Sequence, residues 1–129
     1  MKMKRIILTL TMLVALVATA SAQAEIKFDK LIHNFGSFEE SNQVQKATFT
    51  FTNVGNKPLI INQAIASCGC TIPSYTKKPI APGEKGQISV TYNGKGMFPG
   101  HFKKSITVRS NGNVEMSRLY IEGVMTEKK

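Results

Sequence analysis

The sequence predicts an all-β fold, a two-layer sandwich of about seven short antiparallel strands preceded by a signal peptide. Three observations carry that reading. Hydrophobicity alternates with period two from Glu25 onward, turn-forming residues punctuate the runs at short intervals, and a charge-free apolar stretch behind a basic start opens the chain.

The opening segment Met1-Lys2-Met3-Lys4-Arg5 is basic, and Ile6 to Ala18 carries no charge. An apolar run of about 13 residues is short against the roughly 20 needed to cross a bilayer, so it reads as the h-region of an export signal and not as an anchor. Small residues from Ala18 to Ala24 offer cleavage after Ala20, Ala22 or Ala24. Ala22 is preferred, with Ala24 the alternative, which divides the chain into a signal peptide over 1–22 and one domain over 23–129. No cysteine follows the apolar run to accept a lipid. The expected mature protein is exported, periplasmic or secreted, with no transmembrane segment.

Within the domain, Ile26 to Ile32 supplies a short first strand. Lys46 to Thr52 places Ala47, Phe49 and Phe51 on one face and lysine and threonines on the other, the mark of a half-buried antiparallel strand. Leu59 to Ile65 is β-branched but less cleanly alternating, as a central strand covered on both faces would be. Gln87 to Tyr92 turns Ile88, Val90 and Tyr92 inward. Phe102 to Arg109 does the same with Phe102, Ile106 and Val108, interrupted by Lys104, and Arg118 to Val124 adds a last strand. Thr126 to Lys129 reads as a frayed tail.

Between the runs lie Asn53 to Pro58, Ala81 to Gly86, Asn93 to Gly100 and Ser110 to Asn113, rich in the Gly, Asn and Pro that tight turns require. Six or seven strands so punctuated in about 100 residues describe a β-sandwich of immunoglobulin-like type. The sequence has no tryptophan, and its two cysteines are adjacent but one, so no disulfide can staple one sheet to the other.

The formal charge is +9, and loss of Lys2, Lys4 and Arg5 with the signal leaves 14 basic against 8 acidic residues, a net +6. The lysines are scattered and not interleaved with aromatics, which excludes a nucleic-acid stripe and leaves solubility or attraction to an anionic envelope. No Gly-x-Ser-x-Gly, phosphate-binding loop or paired-carboxylate motif is present, so the expectation is a protein that is not an enzyme and needs no cofactor.

Several segments together resemble the bacterial family known as domain of unknown function 1573, a relative of the immunoglobulin-like sandwiches of the MSP and ASH type. They are Ile26 to Lys30, His33-Asn34-Phe35-Gly36, Phe49 to Gly55 with Pro58-Leu59, Ser67-Cys68-Gly69-Cys70-Thr71, Ile80 to Glu84 and Gly100 to Lys104. Asn34 stands where the family usually has Asp. The resemblance implies the fold and an extracytoplasmic setting, and it brings no catalytic activity.

Cys68, Gly69, Cys70 and Thr71 form the motif of interest, at a strand end or on a strand kinked at Gly69. Alternate residues of a strand lie about 6.6–6.8 Å apart, the upper limit for a bridge, so a disulfide needs a bend that glycine permits. Three readings stay open: two thiols packed as small hydrophobes, a redox-labile disulfide, or a soft-metal site in which Cys68 and Cys70 hold Cu(I). His33 and His101 match no zinc spacing and lack a nucleophile or carboxylate partner. Met97, Met116 and Met125 read as turn and core residues. The function expected is a non-catalytic interaction or scaffolding module engaging an envelope or extracellular protein, the alternative a periplasmic thiol-redox or copper-handling protein acting through the cysteine pair.

Overall fold

The computed structural model describes residues 22–127, so the expected signal peptide lies almost wholly outside the described residues. The strands are β1 (Ile26–Phe28), β2 (Ile32–Glu39), β3 (Val44–Asn53), β4 (Ile61–Ala66), β5 (Thr71–Tyr75), β6 (Lys85–Asn93), β7 (Gly100–Ser110) and β8 (Met116–Thr126). They form two four-stranded sheets, ordered β1-β3-β6-β5 and β2-β8-β7-β4.

Alternation decides what faces inward. Ala47, Phe49 and Phe51 of β3, Ile88, Val90 and Tyr92 of β6, Phe102, Ile106 and Val108 of β7, and Leu119 and Ile121 of β8 are all buried. Each such aliphatic or aromatic side chain contributes about 1.5–3 kcal/mol of transfer free energy. In place of a tryptophan and an inter-sheet bridge, aromatic rings span the gap. Tyr92 of one sheet stacks on Phe102 of the other with centroids 4.0 Å apart, and Phe38 meets both edge-on.

Several expectations need correction. The single first strand is two, because the chain crosses between sheets at Asp29–Leu31. β2 escaped notice because a bulge between Asn34 and Ser37, with Gly36 at φ 71°, shifts its alternation from His33 and Phe35 to Phe38. Asn34 Oδ1 accepts from the Gly36 N–H at 2.8 Å, an acceptor role open equally to the Asp usual in the family. β2 runs parallel to β8, while the other strand pairings are antiparallel.

β4 lies at a sheet edge and is not central; its alternation is broken by a bulge between Ile61 and Gln63. Finally, β5 is a strand despite Pro73. Thr126, taken for tail, pairs with Glu39 at the end of β8.

The sandwich has two unlike ends. At one, Asn53 is fully buried. Its amide donates to the Lys57 and Ile80 carbonyls at 2.7 and 2.9 Å, and its oxygen accepts from the Gly55 and Glu25 N–H groups at 3.0 and 3.3 Å. Asn111 and Asn56 bind neighbouring backbone in the same way. At the other end lie the Cys68–Cys70 turn and the loop from Gly94 to Pro99.

Candidate functional site

The cysteine motif sits where the chain passes from β4, the edge of one sheet, to β5, the edge of the other. The Thr71 N–H donates to the Cys68 carbonyl at 3.1 Å, closing the turn, and the Asn93 N–H donates to the Cys70 carbonyl at 2.8 Å, tying it to the end of β6. The turn brings the two Cα atoms to 5.2 Å, inside disulfide range, and Cys68 and Cys70 are joined by a disulfide. While the bridge is closed neither sulfur carries a thiolate.

Gly69 lies within the turn, whose bend does not need a left-handed glycine. It is not among the glycines with positive φ, and a Cβ added there meets nothing within 4 Å. The backbone tolerates a side chain at this position.

Each sulfur has a hydrogen-bond donor. The Cys70 N–H donates to Cys68 Sγ at 3.1 Å, and Cys70 Sγ lies 3.6 Å from Thr71 Oγ1. Because a bridged sulfur carries no hydrogen, the Thr71 hydroxyl is the donor of that second contact. Thr71 is buried and Cys70 packs against the core, whereas Cys68 and Cys70 are both half-exposed.

The turn lines a shallow depression of about 360 Å³ together with Ile72, Asn93, Lys95 and Met97. Its surroundings are apolar: Ile72 is 60% and Phe98 94% exposed, and Val44, paired with Asn93, is exposed as well.

Of the other residues singled out in the sequence, Met97 lines the same depression as the cysteines. Met125 is buried in the core, and Met116 is exposed at the start of β8. His33 packs edge-on against Phe35 and Phe49 on the inner side of β2, whereas His101 is exposed on β7, so the two do not form a pair. Burial, with the Lys30 ammonium second, holds the His33 imidazole below its ordinary value. Among the described residues, no group of three or more His, Cys, Asp and Glu could hold a metal ion.

Which strands form the exposed edges is a feature the sequence reading left unassigned. Hydrogen bonds from Asn93 N–H to Cys70 and from Thr76 N–H to Gln87 set the phase of β5, so Thr71, Pro73 and Tyr75 turn their backbone groups away from β6. Thr71 N–H is already used and Pro73 has none, which blunts this edge. β1 is three residues long, and β2 is bulged.

β4 is different. The Ser67 N–H bond to Ser105 sets Gln63 and Ile65 as the pairs bonded to β7, leaving the N–H and C=O groups of Ala64 and Ala66 directed outward without a proline between them. Beside them Ile65 is 47% exposed. The signal in the sequence was the short proline-free run Gln63 to Ala66, readable as an open edge only once its place in the sheet is known.

The family described as protein of unknown function (DUF1573) matches residues 26–125 of this chain. No curated protein matches the sequence. Among solved structures, a protein of unknown function from Porphyromonas gingivalis W83 is similar with a TM-score of 0.71 at 16% identity, the match covering 84% of this chain and 50% of that one. The ASH/PapD-like domain 7 of human CEP192 is similar with a TM-score of 0.64 at 11% identity, covering 86% and 92%. The YadV chaperone is similar with a TM-score of 0.54 at 13% identity, covering 81% and 53%. This chain spans half the length of the P. gingivalis protein. Likeness at these identities shows a shared immunoglobulin-like, PapD-like fold.

Proposed function

From the premise that this chain belongs to the DUF1573 family, we propose that it is an exported, non-catalytic interaction module of the bacterial cell envelope that takes an extended segment of a partner protein along β4. The observation that carries this is the contrast among the four sheet edges: three are short, bulged at mid-strand or interrupted by proline, and β4, whose bulge lies at its start, presents two consecutive outward-facing backbone positions, Ala64 and Ala66. An added strand gains main-chain hydrogen bonds there and draws specificity from side chains placed beside Ile65. Likeness to domains called PapD-like, and to proteins called chaperones, fits such a role.

Export rests on the basic and apolar N-terminal segments. The packing of residues 23 and 24 supports cleavage after Ala22. Ala24 is buried, its carbonyl accepts from Asn113 N–H at 3.0 Å, and the Gln23 carbonyl accepts from Asn56 N–H at 2.9 Å. A mature chain starting at Gln23 keeps these bonds, and one starting at Glu25 loses them.

The test is a photo-crosslinking residue at position 65 in the full chain, expressed in an exporting bacterial cell. A defined protein adduct that disappears on Ala64→Pro supports the reading, since that substitution removes an outward N–H and spares the β4–β7 ladder. Adducts indifferent to Ala64→Pro, or none, contradict it.

A further inference from the structure

We propose that Cys68-Gly69-Cys70-Thr71 is a thiol–disulfide exchange centre whose bridge accepts two electrons from a dithiol of a polypeptide. This goes beyond the interaction reading and does not rest on it. The geometry gives each residue of the motif a part. Cys68 and Cys70 are half-exposed and line an open depression, a Cβ at Gly69 between them would meet no other residue within 4 Å, and Lys95 on the same depression brings a positive charge that attracts an incoming thiolate.

Cys68 Sγ is the sulfur attacked, and Cys70 Sγ, on a residue packed against the core and contacted by the Thr71 hydroxyl, is the sulfur that leaves. The incoming thiolate forms a bond to Cys68 Sγ as the Cys68–Cys70 bond breaks, and its electron pair departs on Cys70 Sγ as a thiolate. The Thr71 O–H hydrogen bond strengthens as that charge develops.

The second thiolate of the partner then attacks the partner sulfur of the mixed disulfide and releases the Cys68 thiolate, which accepts the Cys70 N–H. The partner leaves as a disulfide, two electrons have passed to this protein, and solvent supplies the protons that its thiolates take up. Donors already aimed at both sulfurs favour the reduced form, which makes the bridge an oxidant. Thr71 is a positioning residue in this scheme.

Reduced glutathione is a sufficient probe, because structural disulfides of exported proteins resist it. The purified full-length mature protein is mixed with millimolar glutathione under native conditions, quenched by alkylation and weighed. The expected result is two alkylated thiols per chain with the circular dichroism of the folded state unchanged.

Thr71→Val is expected to slow opening about tenfold and to move the alkylation-versus-pH profile of the reduced protein to the alkaline side, and Thr71→Ser to restore both. Gly69→Leu is expected to slow opening with no change in unfolding midpoint. A bridge that persists in millimolar glutathione, or that opens only as the protein unfolds, overturns the proposal. So does a Thr71→Val protein with the wild-type rate and pH profile.

Discussion

The two ends of the sandwich close their loops by opposite means. At the asparagine end, the amide of Asn53 is consumed internally: its four hydrogen bonds tie together the N-terminal segment, the Asn53–Pro58 turn and the Ile80 carbonyl. At the cysteine end, the closing element is a disulfide between two half-exposed residues, beside Lys95, Met97 and the exposed Ile72. A buried amide with full valence adds stability and specifies one loop geometry. Exposed sulfur and exposed Phe98 add little stability, which directs attention to their chemistry.

If this contrast is right, substitutions of equal size have unequal effects at the two ends. Asn53→Ala is expected to cost the most, about 3 kcal/mol, because the Lys57 carbonyl and the Gly55 and Glu25 N–H groups lose their side-chain partner and the Ile80 carbonyl keeps only the Leu59 N–H; urea denaturation measures it.

Gly55→Ala comes next, at about 2 kcal/mol. A Cβ there meets backbone of Gln23, Ala24 and Glu25, so the N-terminal segment must shift, which limited proteolysis detects. Gly69→Ala, the matching change at the cysteine end, is expected to stay within about 0.5 kcal/mol.

The double variant Cys68→Ser, Cys70→Ser opens a loop of only a few residues, for which chain entropy gives about 1.5 kcal/mol. It is expected to fold and to melt above Asn53→Ala. A larger loss than that of Asn53→Ala would reverse the roles assigned to the two ends.

The smallest effect involves neither end. Burial and then Lys30 depress the folded-state value of His33 below 6.5, so the unfolded chain binds the proton more readily. Stability from this source is fully present above about pH 6.5 and is lost as the pH falls through the lower folded-state value. His33→Phe is expected to flatten the melting temperature over that range.

Much of the fold was legible in the sequence because burial on one face writes period two into it, as in Lys46 to Thr52. Where a bulge changes the phase, at Gly36 in β2 and at Asn62 in β4, that pattern is lost, and with it the strand or its place in the sheet. Pro73 hid β5 because a proline is a breaker except on an edge whose N–H faces outward, and edge position is a property of the sheet.

The cysteine motif was visible as Cys68-Gly69-Cys70-Thr71, but its partners were not. Asn93, Lys95 and Met97 arrive from the far end of β6 and the loop after it, more than twenty residues downstream in sequence. Nor could spacing reveal that the turn at Gly69 leaves room for a side chain.

The central claim, that the cysteine end is reactive in the folded protein while the asparagine end holds the fold, is tested most directly by alkylating the reduced protein across a urea series. The account predicts that Cys68 and Cys70 label without denaturant, at a rate that stays level until the unfolding transition. Labelling that is negligible in the native state and rises only with unfolding would contradict it.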